Sequence, residues 1–512
     1  MSITADLVQR LYTPGSLSNG DPGLRFSLSN RLDDMQLTGV RELRVDGRTV
    51  DAGHVRVRLD DTWRTASEIT GQLPVNLRLG EQIAVTAEGE PLEEGAHEIE
   101  MWLDSTPFGA LRLTVHDAVA PPEGAHPHIP RDAEDDYAEA AIRARQEWVR
   151  ARTGAALEHV TRLSWDPHEA RGNCENFVGA AQVPLGIAGP LRVNGEHAKG
   201  DFLIPLATSE GTLVASYNRG MRALMLSGGV TCTVLEDAMQ RAPAFVFGDA
   251  RRGRDFVAWV RENEEGIRAV AEATSEYLQM AYIDPYTAGK FVFLRFGFHT
   301  TDAAGQNMAS RATHAACMWI LQRIEGVHRF YLEANMATDK KSSQINLLRT
   351  RGHRVTAEAT IPRDVLIREM RAEPEALAYH WGVASVGAFL AGANNNGLHS
   401  ANGITALFIA TGQDVANVAE SSAAVIYTEL TPARDLYISI TIPSLIVATH
   451  GGGTGLPTQR ECLGLLGCTG PGTVNKFAEI VAGVVLAGEI SLAAAISSSD
   501  WVTSHERYGR NA

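Results

Sequence analysis

Five short stretches of the sequence carry side chains suited to moving protons, stabilising developing charge or holding a phosphate. In Leu206-Ala207-Thr208-Ser209-Glu210-Gly211 a carboxylate stands just ahead of an apolar helical pattern, where it could act as an acid or base. The helix dipole favours an acid there with no chemistry involved. Thr338-Asp339-Lys340-Lys341 follows a predicted strand and would set an ammonium in a cleft, against the plainer reading of a charged loop. Thr411-Gly412-Gln413-Asp414 follows the apolar run 404–410, so Asp414 is either a charge partner or a turn residue. His450-Gly451-Gly452-Gly453-Thr454-Gly455 offers bare backbone that could approach a phosphate or a nicotinamide, although a lone glycine cluster is by default a flexible turn. His505 titrates near neutrality, as a proton donor must, but its place near the C-terminal end reads first as an exposed tail histidine.

The elements that must position these residues fall into two textures. From Leu24 to about Val115 apolar and polar residues alternate, as in Leu43 and Val45, Val55 to Leu59, and Ile99 to Leu103; this is the period of strands with one buried face. Val45-Asp46-Gly47-Arg48 supplies a tight hairpin turn. We therefore expect a small antiparallel β domain over residues 1–120, of unknown role, then a Pro-rich linker over 121–136 that cannot pair as a strand. From Tyr137 the period is near 3.6, with helices expected over 138–153 and 213–226. Between Ala244 and Ala337 the expected order is strand 245–247, helix 256–273, strand 291–296, helix 308–324 and strand 329–333, a compact α/β subdomain inserted in a larger helical domain. The fold class is α+β, multidomain.

Composition narrows the function. The 512 residues exceed one ordinary core, and 44% apolar residues exclude a disordered chain. Lys plus Arg (46) against Asp plus Glu (61) gives −15, which repels polyphosphates at long range and argues against general nucleic-acid binding. Five scattered cysteines without metal-type spacing read as reduced thiols. The opening MSITADLVQRLYTPG lacks the basic start and apolar run of a signal peptide, and the apolar run 480–496 is interrupted by Glu489, so a buried helix and a cytoplasmic protein are expected.

Taken in order, the motifs resemble the 3-hydroxy-3-methylglutaryl-CoA (HMG-CoA) reductase family, with a class I-like catalytic domain over residues 137–512. Glu175-Asn176-Phe177-Val178-Gly179 and Val183-Pro184-Leu185-Gly186-Ile187-Ala188-Gly189-Pro190 are similar to the family's entry motif. The stretch from Ala207 to Gly220 looks like its substrate helix, and Asp302-Ala303-Ala304-Gly305-Gln306-Asn307-Met308 its dinucleotide motif. Asp339-Lys340-Lys341, Gly412-Gln413-Asp414, Gly451-Gly452-Gly453-Thr454 and Ser504-His505 complete the set. The β domain stands outside this pattern.

The resemblance implies an NADPH-dependent reductase that converts HMG-CoA to mevalonate and free CoA by two hydride transfers, through a hemithioacetal and an aldehyde. Lys340 would stabilise the thioester oxygen as it gains charge, and His505 would protonate the departing thiolate. Glu210 would donate a proton to the aldehyde if its surroundings keep it protonated, with Asp414 linking it to Lys340. Ser216, Asn218, Arg219, His399 and Asn402 would contact the CoA thioester, and Arg241 with Lys341 would hold the distal carboxylate. The dinucleotide would meet Asp302, Ala304, Gly305, Gln306, Asn307, Met308, Gly451 and Gly452. No metal and no membrane enter the scheme, Arg507 and Arg510 would steer CoA phosphates, and the inserted subdomain, residues 244–337, would be ferredoxin-like. Sites shared between subunits imply a homodimer or higher oligomer.

Two departures leave alternatives. Glu333 stands where the family has a small hydroxyl residue facing the carboxylate, and Gly382 aligns with a carboxylate-binding lysine; a different acyl thioester is the alternative substrate. Glu276 stands where NADPH-using relatives carry a basic residue, which keeps NADH open, since an acid suits a ribose hydroxyl. A catalytically silent scaffold with a ligand-binding β domain is the non-enzymatic alternative, opposed by competent side chains at all four catalytic positions. A generic dehydrogenase is opposed by the lack of a G-x-G-x-x-G after an early strand.

Overall fold

The computed structural model describes residues 5–21, 23–59, 62–119 and 128–498. The alternating N-terminal pattern forms two antiparallel five-stranded sheets. Their apolar faces supply the core, with Phe26, Leu28, Val57 and Val85 from one and Leu43, Met101, Leu103 and Leu113 from the other fully buried or nearly so. The hairpin lies where the sequence places it: Val45 pairs with Arg48, and Asp46 and Gly47 take φ of 50° and 74°, the positive values a two-residue turn requires.

Glu139–Thr153 (α1) follows. Its Arg145 is fully buried and donates to the Phe177 carbonyl (2.9 Å) and to Asp136 (2.6 Å), so the stretch before the helix is tied to the catalytic region. Leu213–Leu226 (α2) has the predicted limits. The inserted subdomain departs from expectation twice. The single predicted helix is two, Ala250–Glu262 (α3) and Glu264–Glu272 (α4), because Asn263 leaves helical geometry (φ −111°, ψ 14°). A strand at Gln279–Ala288 was not foreseen. It contains Pro285 and has little alternation of burial, both tolerable because it is an edge strand bonded only to Phe291–His299. Gln306–Leu321 (α5) completes the subdomain, whose strands run Arg329–Tyr331, Ala244–Val246, Phe291–His299, Gln279–Ala288 across the sheet, each neighbour antiparallel.

Thr231–Arg241 joins this sheet to the rest. Its earlier residues pair with Gly352–Ile361, and Met239, Gln240 and Arg241 pair with Phe298, Gly297 and Phe296. Pro374–Ala391 (α6), Ser400–Thr411 (α7) and Val474–Ser497 (α8) build the helical part. By length and composition α8 could cross a membrane, yet 83% of its most apolar window is buried inside the protein, in keeping with the expected core helix. It meets α2 at backbone contact: a Cβ on Gly220 would collide with the Ala487 carbonyl, so only glycine fits there.

Candidate active site

Lys340 lies in a loop with φ 55°, and its Nζ is 2.9 Å from Asp414 Oδ2. The loop is held from beneath by ions. The Lys340 amide donates to Glu420 (3.0 Å), Glu420 pairs with Arg351, and Arg351 also donates to Asp339 (2.6 Å). Glu420 and Arg351 are wholly buried; burial pushes the Glu420 carboxyl upward, a push that Arg351 and the Lys340 amide oppose. Asp414 begins the short turn 415–417 and accepts from the Ala416 amide (3.1 Å), which aims its second oxygen at the ammonium.

Arg241 ends its strand beside this loop. Its Nε donates to Ser310 (2.7 Å), and Nη1 is 3.5 Å from Asp339. Lys341 donates to the Asp339 carbonyl (3.1 Å) and is otherwise exposed.

The second group gathers where α2 crosses α8. His399 is buried, and burial brings its imidazole down to about 4, so the ring is neutral. Its Nε2 lies 3.3 Å from Ser216 Oγ, and its Nδ1 has no partner among the described residues. Ser491 bonds Ser216 (3.1 Å) and accepts from Arg219 (3.1 Å). Asn218 accepts from the Gly189 amide (2.9 Å). Glu489 takes the Leu398 and His399 amides (2.6 and 2.9 Å) and the Ser400 hydroxyl (2.6 Å), capping α7 from inside the core. Glu210 is exposed; Asn402 Nδ2 lies 3.4 Å from its Oε1. Among the described residues nothing encloses this carboxylate. His505, Arg507 and Arg510 lie outside the described residues.

A cavity of about 500 Å³ opens between the dinucleotide motif and the glycine-rich turn, lined by Ala304, Gly305, Gln306, Asn307, Met308, Gly451 and Gly452 together with Asp414. Gly305 starts α5 at φ 73°, so the helix presents its first amides to the cavity. Gly412 and Gly453 pass so closely that a Cβ on Gly412 would collide with the Gly453 carbonyl. Asp302 is the one residue of the motif put to other use. It does not line the cavity: its carboxylate accepts from the Gly472 (2.7 Å) and Val474 (3.1 Å) amides and fastens the start of α8.

Residues 141–510 match the family model described as hydroxymethylglutaryl-coenzyme A reductase. The chain belongs to this family. As an HMG-CoA reductase family member it is an oxidoreductase. The 3-hydroxy-3-methylglutaryl-coenzyme A reductase of Pyrococcus abyssi is 43% identical over 379 residues, 72% of this chain and 93% of that protein. The enzyme of the same name from Methanothermobacter thermautotrophicus is 42% identical over 386 residues, 75% and 95% of the two chains. Among solved structures, the class II enzyme of Streptococcus pneumoniae bound to NADPH in open conformations superposes with a TM-score of 0.53 at 21% identity, covering 64% of this chain and 79% of that one; the likeness is one of fold. The β domain, set outside the family pattern on sequence, matches a family model of its own over residues 7–120, described as the hydroxymethylglutaryl-CoA reductase N-terminal domain. That corrects its standing as a foreign addition.

Several residues of this HMG-CoA reductase family site had escaped the sequence reading. Asn173 and Asn417 also line the cavity, beside Gln413, His450 and Thr454 of the motifs already named. Arg351, Glu420 and Ser491 gave no local signal. Glu489 did: a lone carboxylate inside an apolar run is costly unless it caps something.

Proposed function

We propose that the protein reduces HMG-CoA to mevalonate and free CoA at the expense of two NADPH. The observation that carries this reading is that Asp414, a wall of the dinucleotide-sized cavity, holds the Lys340 ammonium at 2.9 Å. NADPH would supply the two hydrides, and the glycine-bounded cavity at the start of α5 suits its phosphates. The ammonium stabilises the oxygen of the thioester and then of the aldehyde as each gains charge. Asp414 keeps the lysine aimed. Arg241 and Lys341 bind the distal carboxylate, while Ser216, Asn218, Arg219, His399 and Asn402 face the CoA thioester. Collapse of the hemithioacetal breaks the C–S bond, and His505 gives the thiolate its proton. Ser491, near the end of α8, contacts Ser216 and Arg219. The seven residues after Ser498 reach up to about 25 Å at ~3.5 Å each, enough to bring His505 to that cluster. Glu210 protonates the aldehyde oxygen once substrate and a second subunit exclude water.

That second subunit is supported by an apolar face. Tyr379, Val383, Val386, Phe389 (85% exposed) and Leu390 on α6 lie in the open, as do Val425 and Tyr427 on the edge strand Val425–Leu430. A homodimer would cover it. We assign residues 1–120 to the β domain, 121–136 to the linker and 137–512 to the catalytic domain, working in the cytoplasm. The strand order of the insert, fourth-first-third-second and antiparallel throughout, supports a ferredoxin-like subdomain.

A different acyl group is the second reading, and Glu333 favours it. Its carboxylate accepts the Asn335 amide at 2.6 Å on the approach to Lys340, adding a second negative charge to that of Asp339 in the field of Arg351. For the cofactor, Ser275 Oγ lies 3.9 Å from Met308 Sδ, which sets Glu276 near the cavity wall and keeps NADH as the alternative. The test is nicotinamide absorbance decay with purified protein, HMG-CoA and either NADPH or NADH, with Lys340→Ala as control. Decay with NADPH that vanishes in the variant supports the first reading. Silence with HMG-CoA but turnover of another acyl-CoA replaces it with the second, and silence across an acyl panel points to a scaffold.

A further inference from the structure

Among the described residues, two approaches of the β domain to the nucleotide subdomain lead to the cofactor cavity. Arg10 Nη2 donates to the Phe330 carbonyl at 2.9 Å, and its guanidinium lies 5.7 Å from the centre of the Tyr331 ring. Both partners belong to the edge strand Arg329–Tyr331, which runs on toward the Lys340 loop. Arg31 makes the second contact. Its backbone and Asp33 lie near the His314 ring on α5. His314 lies six residues beyond Met308, about 9 Å along the helix whose first turn lines the cavity. The two contacts are linked, because the Arg31 side chain also donates to the Arg10 (2.6 Å) and Tyr12 (2.9 Å) carbonyls.

Beneath them one continuous buried apolar cluster contains Leu11, Leu28 and Leu111 of the β domain and Phe245, Phe256 and Phe330 of the subdomain. Domains joined by small polar surfaces move relative to one another, whereas a shared apolar core resists it. The rest of the catalytic region has its own cluster, built on α2, α7 and α8. The subdomain thus shares an apolar cluster with the β domain, and a strand, Thr231–Arg241, with the part of the chain that carries Glu210 and His399.

We infer that the β domain is a positioning clamp for the nucleotide subdomain, setting the affinity for the dinucleotide through Arg10 and Arg31 and leaving acyl-CoA binding alone. Arg10, Arg31 and His314 act through the subdomain and are positioning residues. The inference rests on reading the cavity as the dinucleotide site. A small misplacement of a binding element costs more than the lost contact itself.

The experiment uses the full chain. NADPH affinity is read by cofactor fluorescence, and KM for NADPH and for HMG-CoA by steady-state turnover, in the wild type, Arg10→Ala, Arg10→Lys and the surface variant Tyr331→Leu. We expect Arg10→Ala to weaken NADPH roughly two- to tenfold, the worth of one hydrogen bond, with KM for HMG-CoA unchanged and melting temperature close to wild type. Tyr331→Leu should do less in the same direction, and Arg10→Lys, which keeps the charge over the ring, should recover part of the loss. A wild type that binds no nicotinamide dinucleotide overturns the cavity reading and the clamp with it. Normal wild-type binding with no change in Arg10→Ala and Tyr331→Leu overturns the clamp alone. So does a parallel rise of both KM values, which is what general loosening of the fold produces.

Discussion

Around Lys340 the charges are matched pair by pair: the buried Arg351 and Glu420 with the half-buried Asp339 form an ionic base, and Asp414 takes the exposed ammonium. Around Glu210 the arrangement is different. Neutral groups, His399, Ser216 and Ser491, hold one another, while the carboxylate itself is exposed beside Asn402. On the proposed mechanism the contrast separates two stages of the reaction. The half that must stabilise negative charge is built in advance, because preorganisation is what makes such stabilisation effective. The half that would deliver protons on the proposed mechanism is open, with Glu210 exposed beside Asn402.

The sharpest break in this contrast is Arg351→Met. It strands Glu420 without its buried partner and should cost about 3–5 kcal/mol of stability in urea denaturation; a loss below 1 kcal/mol would mean that the ionic base is ornamental. Next is Lys340→Ala, for which turnover should fall roughly 10²–10³-fold, the cost of removing one donor to a developing oxyanion, while NADPH affinity by fluorescence stays within about twofold.

The neutral half predicts a pH effect. With the folded pKa of His399 at about 4, below the ordinary 6.5, the unfolded chain binds the extra proton between those values. Stability should therefore fall as pH drops from 6.5 to 4, by at most about 3 kcal/mol from this group, and His399→Gln should flatten that slope. Smallest is Asn402→Ala. An exposed contact of 3.4 Å should be worth under about 1 kcal/mol of stability. A larger loss would show that the glutamate side is as tightly built as the lysine side.

Strongly periodic or turn-encoded features could be read from the chain alone. The limits of α2, the Asp46-Gly47 hairpin and the meeting of Lys340 with Asp414 all follow from local pattern or ordered motifs. What escaped was set by distant partners. Arg351 and Glu420 are 69 positions apart, and no period links them. The strand holding Pro285 is made by its neighbour, not by its own propensity. Asp302 belongs to a recognisable motif, yet its carboxylate is spent on the start of α8. The β domain looked separate because its two-residue period ends before the linker; nothing local records that its core continues into the subdomain.

Thr231–Arg241 carries ladder bonds of both half-sheets. A domain inserted through two loops can swing like a door on slack hinges. Here the entering chain is a stiff axle shared by frame and door, and the axle's last residue is Arg241. Such a shared strand holds subdomain and frame in one register and fixes Arg241, at its end, beside Ser310 and Asp339.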